Sequence, residues 1–219
     1  MQKHITPRAS LISEYTFIAY FFIVSFFPFD ADIIKLLCLL TFIGCWVTKM
    51  LSEKKIRFVK TSLTIPILSF FLCSLIASLH SVRIRYSLGT IESDYLEYFT
   101  IFFCMVNTIQ GQEQIRRIVK AMLITCGLVC AYGLYGYYTG IAIRDERLVA
   151  TFEYHSRIAK YISLFLPIAV CLFFHYKNVL TRLYLVILTI ACSFSLILTM
   201  NRTSWVAVLV AMFFTGLAA

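Results

Sequence analysis

Five of the 20 basic side chains lie in two short stretches of the chain, each leading into a long apolar run. The stretches cover residues 144–161 and 199–205, and their basic members are Arg144, Arg147, Arg157, Lys160 and Arg202. Guanidinium groups stay charged, donate paired hydrogen bonds to phosphate oxygens and are more weakly hydrated than ammonium groups. Helix N-termini at the same positions would add unpaired N–H groups and a positive dipole end. The pattern therefore indicates a phosphate site with Arg147, Arg157 and Arg202 as candidate ligands.

Two polar residues of the first stretch join this candidate set. His155 could act as a proton acceptor, donate to a phosphate or be an ordinary loop residue, since imidazole exchanges protons near neutral pH. Thr151 offers a hydroxyl donor. For the arginines, the alternative is that they pair with Asp145, Glu146 and Glu153 or extend to lipid headgroups. A cation beside apolar runs, as at Arg202, is costly without a partner and so marks a functional site or an interfacial anchor.

The eight cysteines give no comparable pattern for a metal site. All lie within apolar runs, none forms a CxxC pair, and none has a histidine at metal-ligand spacing. Cys126 and Cys130 are four residues apart and would share a helix face. We interpret them as small buried hydrophobic residues. No metal and no cofactor is expected.

The elements that must position these residues are membrane helices. The 219 residues are 60% hydrophobic and 14% charged, whereas soluble domains have about 45–50% apolar and about 25% charged residues. A spanning helix needs about 20 apolar residues, and backbone groups in lipid must be satisfied within the segment. We predict an all-α bundle of about eight transmembrane spans, forming a single membrane domain without a soluble domain. The apolar segments are 11–29, 33–51, 61–80, 95–110, 118–139, 157–175, 183–200 and 205–219.

The distribution of charge predicts the orientation of the bundle. With the N-terminus in the cytoplasm, the inner segments hold 12 of the 20 Lys and Arg residues and three of the 11 acidic residues, so the whole net charge of +9 lies inside. Anionic lipid accounts for that excess, so no nucleic acid partner is expected. The two arginine-rich stretches then face outward, against the usual tendency of Lys and Arg. Such clustering calls for a specific ligand.

The last apolar segment is short for a membrane span. Residues 205–219 are 15 residues, or about 22 Å of helix, against about 30 Å of hydrocarbon. No Lys or Arg follows to anchor it. We therefore expect the sequence to be the N-terminal portion of a longer protein.

The order and spacing of four motifs resemble the O-antigen ligase and O-antigen polymerase family. That family's pattern looks like an Arg-x-x-x-Thr-Phe loop, a helix start leading to Leu-Pro, and a Thr-x-Ser-Arg-x-x-Trp-like stretch. The resemblance covers about residues 140–215, and Asn201 departs from it where Ser is usual. The corresponding motifs here are RLVATF at 147–152, HSRIAKY at 155–161, LFLP at 164–167 and LTMNRTSW at 198–205.

The resemblance implies a glycosyltransferase of the GT-C type in the bacterial inner membrane. It would take a glycan from an undecaprenyl-pyrophosphate carrier at the periplasmic face and transfer it to lipid A–core or a growing polysaccharide. Arg147 and Arg202, with Arg157, would bind the pyrophosphate, and no metal would be needed. The family's catalytic base lies in a later periplasmic loop. It would therefore fall beyond residue 219, and residues 1–219 alone are expected to be inactive.

Two other classes of protein fit the outward-facing cations. A transporter or flippase of lipid-linked sugars would also bind phosphate, although interrupted helices in matching halves of the chain would be expected, and no such symmetry is visible. A non-enzymatic subunit of a membrane assembly is the second alternative. In that case Arg147 and Arg202 should be replaceable by alanine without effect.

Overall fold

The computed structural model describes residues 5–27, 32–53, 61–82, 84–90, 96–109, 111–144 and 146–218. Within these ranges the chain forms nine α-helices and one two-stranded antiparallel hairpin, β1 and β2. The elements are α1 Ile5–Phe26, α2 Asp32–Glu53, α3 Thr64–Leu79, α4 Ile84–Thr90, α5 Leu96–Thr108, α6 Gln112–Thr139, β1 Ile143–Arg144, β2 Arg147–Leu148, α7 His155–His175, α8 Val179–Leu198 and α9 Arg202–Ala218.

The helices confirm the all-α membrane class predicted from hydropathy. Each predicted apolar segment contains a helix, and the short helix α4 lies in the predicted loop between the third and fourth segments. Among the described residues, four helices are long and apolar enough to cross a membrane: Ile33–Leu51, Gln112–Thr139, His155–His175 and Val179–Leu198. The other four apolar helices are shorter: Ser10–Phe26, Thr64–Leu79, Leu96–Thr108 and Arg202–Gly216.

The chain divides into two compact units. Unit 1 comprises residues 1–20 and 32–118, and in it α2 packs along α5. The ring of Phe42 is fully buried and packs against the rings of Phe17 and Tyr20. Lys49 is buried and donates a hydrogen bond to the backbone carbonyl of Asn107. Apolar packing and a few buried polar contacts thus hold this unit together.

Unit 2 comprises residues 21–31 and 119–219. In it, α7 packs along both α8 and α9, and its core includes Ile158, Ile162 and Phe165 of α7. The residues of α8 that face this core are Leu185, Leu188, Cys192 and Leu196, whereas Leu183, Ile187, Ile190, Phe194 and Ile197 are exposed. An exposed apolar face on a helix of spanning length is what lipid contact requires.

Candidate phosphate-binding site

The connector between α6 and α7 is a folded loop that docks onto the end of α6. A Cβ added to Gly136 would lie 2.5 Å from Ala142 Cβ, and one added to Gly133 would lie 2.9 Å from Ala150 Cβ. The N–H of Ala142 donates to the carbonyl of Gly136 at 3.0 Å. Gly140 starts the loop at a φ of +80°, a conformation that glycine adopts without a Cβ penalty. The glycines thus serve close packing, as small residues do between membrane helices.

The docked loop presents two arginines side by side. In the hairpin, Arg144 of β1 is the register partner of Arg147 of β2, and the neighbouring pair is Ile143 with Leu148. Leu148 is fully buried, which anchors the hairpin, and β2 contacts α8. Like charges directly opposite in a hairpin repel each other. The hairpin therefore holds two arginines at opposite backbone positions, where an anion would offset their charges.

Arg147 contacts the first residue of α7. Its Nη1 lies 3.1 Å from Nε2 of His155, and both side chains are half-buried. Because the N–H groups of arginine can only donate, Nε2 accepts this bond and the ring proton lies on Nδ1. The imidazole therefore engages one N–H group of Arg147 and leaves the others for a ligand. Two predicted site residues are thus brought together.

Arg157, the third candidate, points to a different neighbour. Its guanidinium carbon lies 5.7 Å from the ring centre of Tyr154, and that of Arg144 lies 5.3 Å from the same ring. Such cation–π contacts contribute about 0.5–1 kcal/mol each at exposed sites. Arg144 also donates to the backbone carbonyl of Glu153 at 3.3 Å. Arg144 and Tyr154 lie outside the candidate set that the sequence predicts, because two-residue strands leave no recognisable pattern.

Thr151 serves the loop itself. Its hydroxyl donates to the carbonyl of Ser25, in the last turn of α1, at 2.7 Å. The next residue, Phe152, packs against Tyr161 with ring centres 5.4 Å apart. The hydroxyl proton of Thr151 is therefore committed to the backbone, so this residue positions the loop that carries Arg147.

Arg202 is the first residue of α9 and follows a tight turn after α8. Asn201 accepts a hydrogen bond from the N–H of Ser204 at 3.4 Å and so caps the helix. The indole N–H of Trp205 donates to the carbonyl of Leu196 at 3.1 Å. Arg202 is exposed, and within the described part of the chain its side chain has no hydrogen bond or ion pair.

Strained backbone conformations occur in both connectors, the loop between α6 and α7 and the turn between α8 and α9. Three non-glycine residues of the described chain have φ in the left-handed region: Glu146 at 61°, Ala150 at 49° and Met200 at 52°. Each such residue costs about 1–3 kcal/mol and persists where the surrounding fold fixes it. Glu146 directly precedes Arg147, and Met200 lies two residues before Arg202. Strain of this kind is common at ligand sites, so it supports a binding role for these arginines.

The helix order brings the two connectors to one end of unit 2. Three-residue connectors join α7 to α8 and α8 to α9, so these helices alternate in direction. The loop before α7 and the turn before α9 therefore lie at the same end. The acidic partners considered as the alternative, Glu146 and Glu153, form no ion pair with Arg147 or Arg202 in the structure as described. Asp145 lies outside the described residues.

Comparisons with known protein families, curated proteins and solved structures gave no match to this chain. The fold and the site together define an α-helical membrane protein with an arginine-rich site at one end of its second unit.

Proposed function

We propose that this protein transfers a glycan from an undecaprenyl-pyrophosphate carrier to an acceptor, either lipid A–core or a growing polysaccharide. One observation carries the proposal. Arg147 and Arg202 lie at the same end of unit 2 on strained connectors, and no carboxylate among the described residues neutralises them. A diphosphate on a lipid carrier supplies the missing negative charge at the depth where helix ends meet the membrane surface.

The chemistry asked of these residues is stabilisation of the leaving group. When the acceptor hydroxyl attacks the anomeric carbon, the glycosidic bond to the pyrophosphate breaks and negative charge grows on the phosphate oxygen. Guanidinium groups fixed beside that oxygen stabilise the charge as it develops. A base must take the acceptor's proton. The reaction inverts the anomeric centre because attack and departure occur on opposite faces of the sugar.

His155 fits an orienting role better than that of the base. Its Nε2 already accepts a hydrogen bond from Arg147 at 3.1 Å. The lone pair of Nε2 is therefore directed at Arg147 and not at an acceptor hydroxyl. His155 therefore holds the Arg147 guanidinium in place while its remaining N–H groups bind the phosphate oxygens.

The proposal includes a membrane setting. The protein would lie in the bacterial inner membrane as a GT-C-like bundle of about eight spans, with its N-terminus in the cytoplasm and the connectors before α7 and α9 in the periplasm. The excess of Lys and Arg in the opposite connectors supports this orientation.

Carrier binding by the purified chain in lipid nanodiscs tests the site. Undecaprenyl pyrophosphate is the probe, and its Kd is measured for the parent, Arg147→Ala and Arg202→Ala. A charge-assisted hydrogen bond contributes about 1.5–3 kcal/mol, so each variant should bind about 10–100-fold more weakly. Undecaprenol, which lacks phosphate, should bind weakly to all three proteins.

A matched control lies at the other end of the same unit. Arg182, in the first turn of α8, is exposed, donates to the carbonyl of Tyr176 at 2.6 Å and lies over the ring of Phe173. Arg182→Ala removes the same charge, so it should leave the Kd unchanged. Equal losses in Arg182→Ala and Arg202→Ala would mean that the carrier is held by general surface charge, and the proposed site would be wrong.

Topology is tested independently with a membrane-impermeant maleimide on intact cells. Single cysteines at Glu146 and Lys177, both exposed, are introduced in a background with Cys73 and Cys171 replaced by serine. We expect labelling at position 146 and protection at position 177. The reverse pattern would place the arginines in the cytoplasm and contradict the transfer reaction at the periplasmic face.

The fate of the glycan in cells distinguishes a transferase from a flippase. If the protein is a transferase, Arg202→Ala should let carrier-linked glycan accumulate on the periplasmic side while transferred product falls. A flippase would instead leave the carrier-linked glycan on the cytoplasmic side. Normal product in Arg202→Ala would favour an assembly subunit.

A further inference from the structure

Three cysteine thiols from two helices converge in the core of unit 2. Cys126 and Cys130 lie one turn apart on α6, and Cys192 lies on α8. The Sγ atom of Cys192 is 3.7 Å from that of Cys126 and 3.7 Å from that of Cys130, and all three sulfurs lie within 4.8 Å of one another. Each of these residues is fully buried. The sequence predicts only packing roles for the α6 pair, because nothing in it links these residues to Cys192.

The spacing of these sulfurs matches a thiolate-bound metal ion. Metal–sulfur bonds of about 2.3 Å separate neighbouring sulfurs by about 3.8–4.0 Å in tetrahedral or trigonal geometry. The observed separations of 3.7 Å need only small side-chain adjustments to reach those values. The thiols thus present three soft ligands already gathered by the packing of α6 and α8.

A hydroxyl without a conventional partner lies beside the thiols. Ser195, three residues after Cys192 on α8, is fully buried, and its oxygen has no hydrogen-bond partner of normal geometry among the described residues. The Cys130 thiol is its neighbour. The partner at hand for the buried hydroxyl is therefore a thiol. A thiolate would accept its proton more strongly, since hydrogen bonds to charged acceptors are stronger than those to neutral ones.

The apolar surroundings decide which metal fits. The buried core around the thiols includes Leu123, Leu188 and Leu196, and an unbalanced charge in such surroundings costs several kcal/mol. A divalent ion with three thiolates would leave one negative charge. A monovalent ion that displaces a single thiol proton, which passes to solvent, leaves the site as neutral as before. Soft sulfur ligands select Cu(I) among such ions.

We propose that Cys126, Cys130 and Cys192 form a Cu(I) site that links α6 to α8. One thiol binds as the thiolate and the other two bind as neutral sulfur donors. The Ser195 hydroxyl donates a hydrogen bond to the thiolate. The site is separate from the arginine-rich connectors, and its occupancy does not depend on the proposed transfer reaction.

Anaerobic titration of the full chain in nanodiscs with Cu(I), against a chromogenic Cu(I) chelator, tests the site. A cluster-only protein, with the cysteines outside the cluster replaced by alanine, should bind one equivalent, and X-ray absorption should show only sulfur at about 2.3 Å. Cys192→Ser in that background should weaken binding by more than about 100-fold, beyond the loss caused by changes outside the ligand shell. The replaced cysteines are Cys38, Cys45, Cys73, Cys104 and Cys171.

Three results would overturn the proposal. The first is equal Cu(I) affinity in the cluster-only protein and its Cys192→Ser variant. The second is loss of tight binding in the cluster-only protein itself, which would assign the ion to other cysteines. The third is displacement of Cu(I) by equimolar Zn(II), which would contradict the charge argument. If Cys192→Ser loses its helical circular dichroism, Cys126→Ala replaces it, because alanine preserves the apolar packing of α6.

Discussion

Arg117 in unit 1 and Arg147 in unit 2 show two uses of the same side chain. Arg117 binds Glu14 through two parallel hydrogen bonds, Nε to Oε1 at 2.5 Å and Nη2 to Oε2 at 2.8 Å, and the carboxylate is fully covered. Among the described residues, the Arg147 side chain has one hydrogen bond, to a ring nitrogen of His155. A guanidinium that already serves two carboxylate oxygens has little capacity left for a ligand, whereas one held by an imidazole keeps its paired donors available.

The partners of these two arginines distinguish a structural role for Arg117 from the proposed binding role of Arg147. Their positions in the sequence do not make that distinction. The arginines of the two predicted outward-facing stretches fit a shared ligand, and they fit local acidic partners equally well. Within the described ranges, Arg117 forms a bidentate ion pair and Arg147 forms none. Variants in and around these residues show whether the difference in partners is also a difference in function.

The largest effect is expected from a change beneath the Arg147 loop. Gly136→Ala would place a Cβ 2.5 Å from Ala142 Cβ and 3.2 Å from the Ala142 backbone nitrogen, so the loop must shift. Overpacking of this kind costs about 1–3 kcal/mol. We expect faster proteolysis of residues 140–154 and weaker carrier binding, measured on the same nanodisc samples.

Two variants control this prediction. Gly44→Ala adds the same methyl group in α2, where nothing lies within 4 Å, so it should change neither readout. Adding Ala142→Gly to Gly136→Ala removes the nearest clashing atom and should restore part of the binding. Full carrier affinity in Gly136→Ala alone would show that the docked loop does not position Arg147.

A smaller effect is expected from breaking the ion pair between Arg117 and Glu14. Arg117→Ala leaves the covered carboxylate of Glu14 without its partner, so unit 1 should lose stability in a denaturation series. The loss is limited because the Arg117 side chain is 49% exposed and solvent screens the pair. Carrier binding should stay at the parent value. A loss of binding comparable to that of Arg147→Ala would remove the distinction between the two arginines.

The double variant sharpens that result. Glu14→Ala together with Arg117→Ala removes both charges, so no carboxylate is left unpaired. It should be more stable than Arg117→Ala alone, as the coupling of contacting residues requires. Equal stability of the single and double variants would mean that solvent already neutralises Glu14.

Removal of the contact between Arg147 and His155 should have a still smaller effect. His155→Ala removes one hydrogen bond worth about 1 kcal/mol, so carrier binding should weaken by about fivefold. His155→Gln keeps a side-chain acceptor and should recover most of the loss. If His155 were the base instead, His155→Gln would bind the carrier normally and abolish transfer, which the product assay detects.

Hydropathy was sufficient to predict the helices, because apolar runs of spanning length have few alternatives in lipid. It did not predict contacts between distant residues. Glu14 and Arg117 are 103 residues apart, and Cys192 is 62 residues from Cys130. Such pairings depend on which helix faces meet, and a single sequence with similar apolar residues on several faces does not fix that choice.

The candidate site was predictable in its residue types but only partly in its geometry. Phosphate chemistry identified Arg147, Arg157 and Arg202 because their side chains suit that ligand. The hairpin that opposes Arg144 and Arg147 was missed, since two-residue strands carry too little periodicity to recognise. Thr151 was named as a possible site residue, and the structure shows that its hydroxyl donates to the backbone of Ser25, a tertiary contact that no local pattern indicates.

The smallest effect is expected at the turn that carries Arg202. Trp205→Phe removes the indole N–H that donates to the carbonyl of Leu196, but that carbonyl also accepts from the buried hydroxyl of Thr199 at 2.7 Å. No acceptor is left unpaired, so the cost should stay below about 1 kcal/mol, and carrier binding should hardly change. Thr199→Val removes the other donor instead. Trp205→Phe combined with Thr199→Val leaves the carbonyl with neither side-chain donor, so the double variant should lose more carrier affinity than the two single losses together. Simple additivity would mean that Arg202 is positioned by the Asn201 cap alone and not by this shared carbonyl.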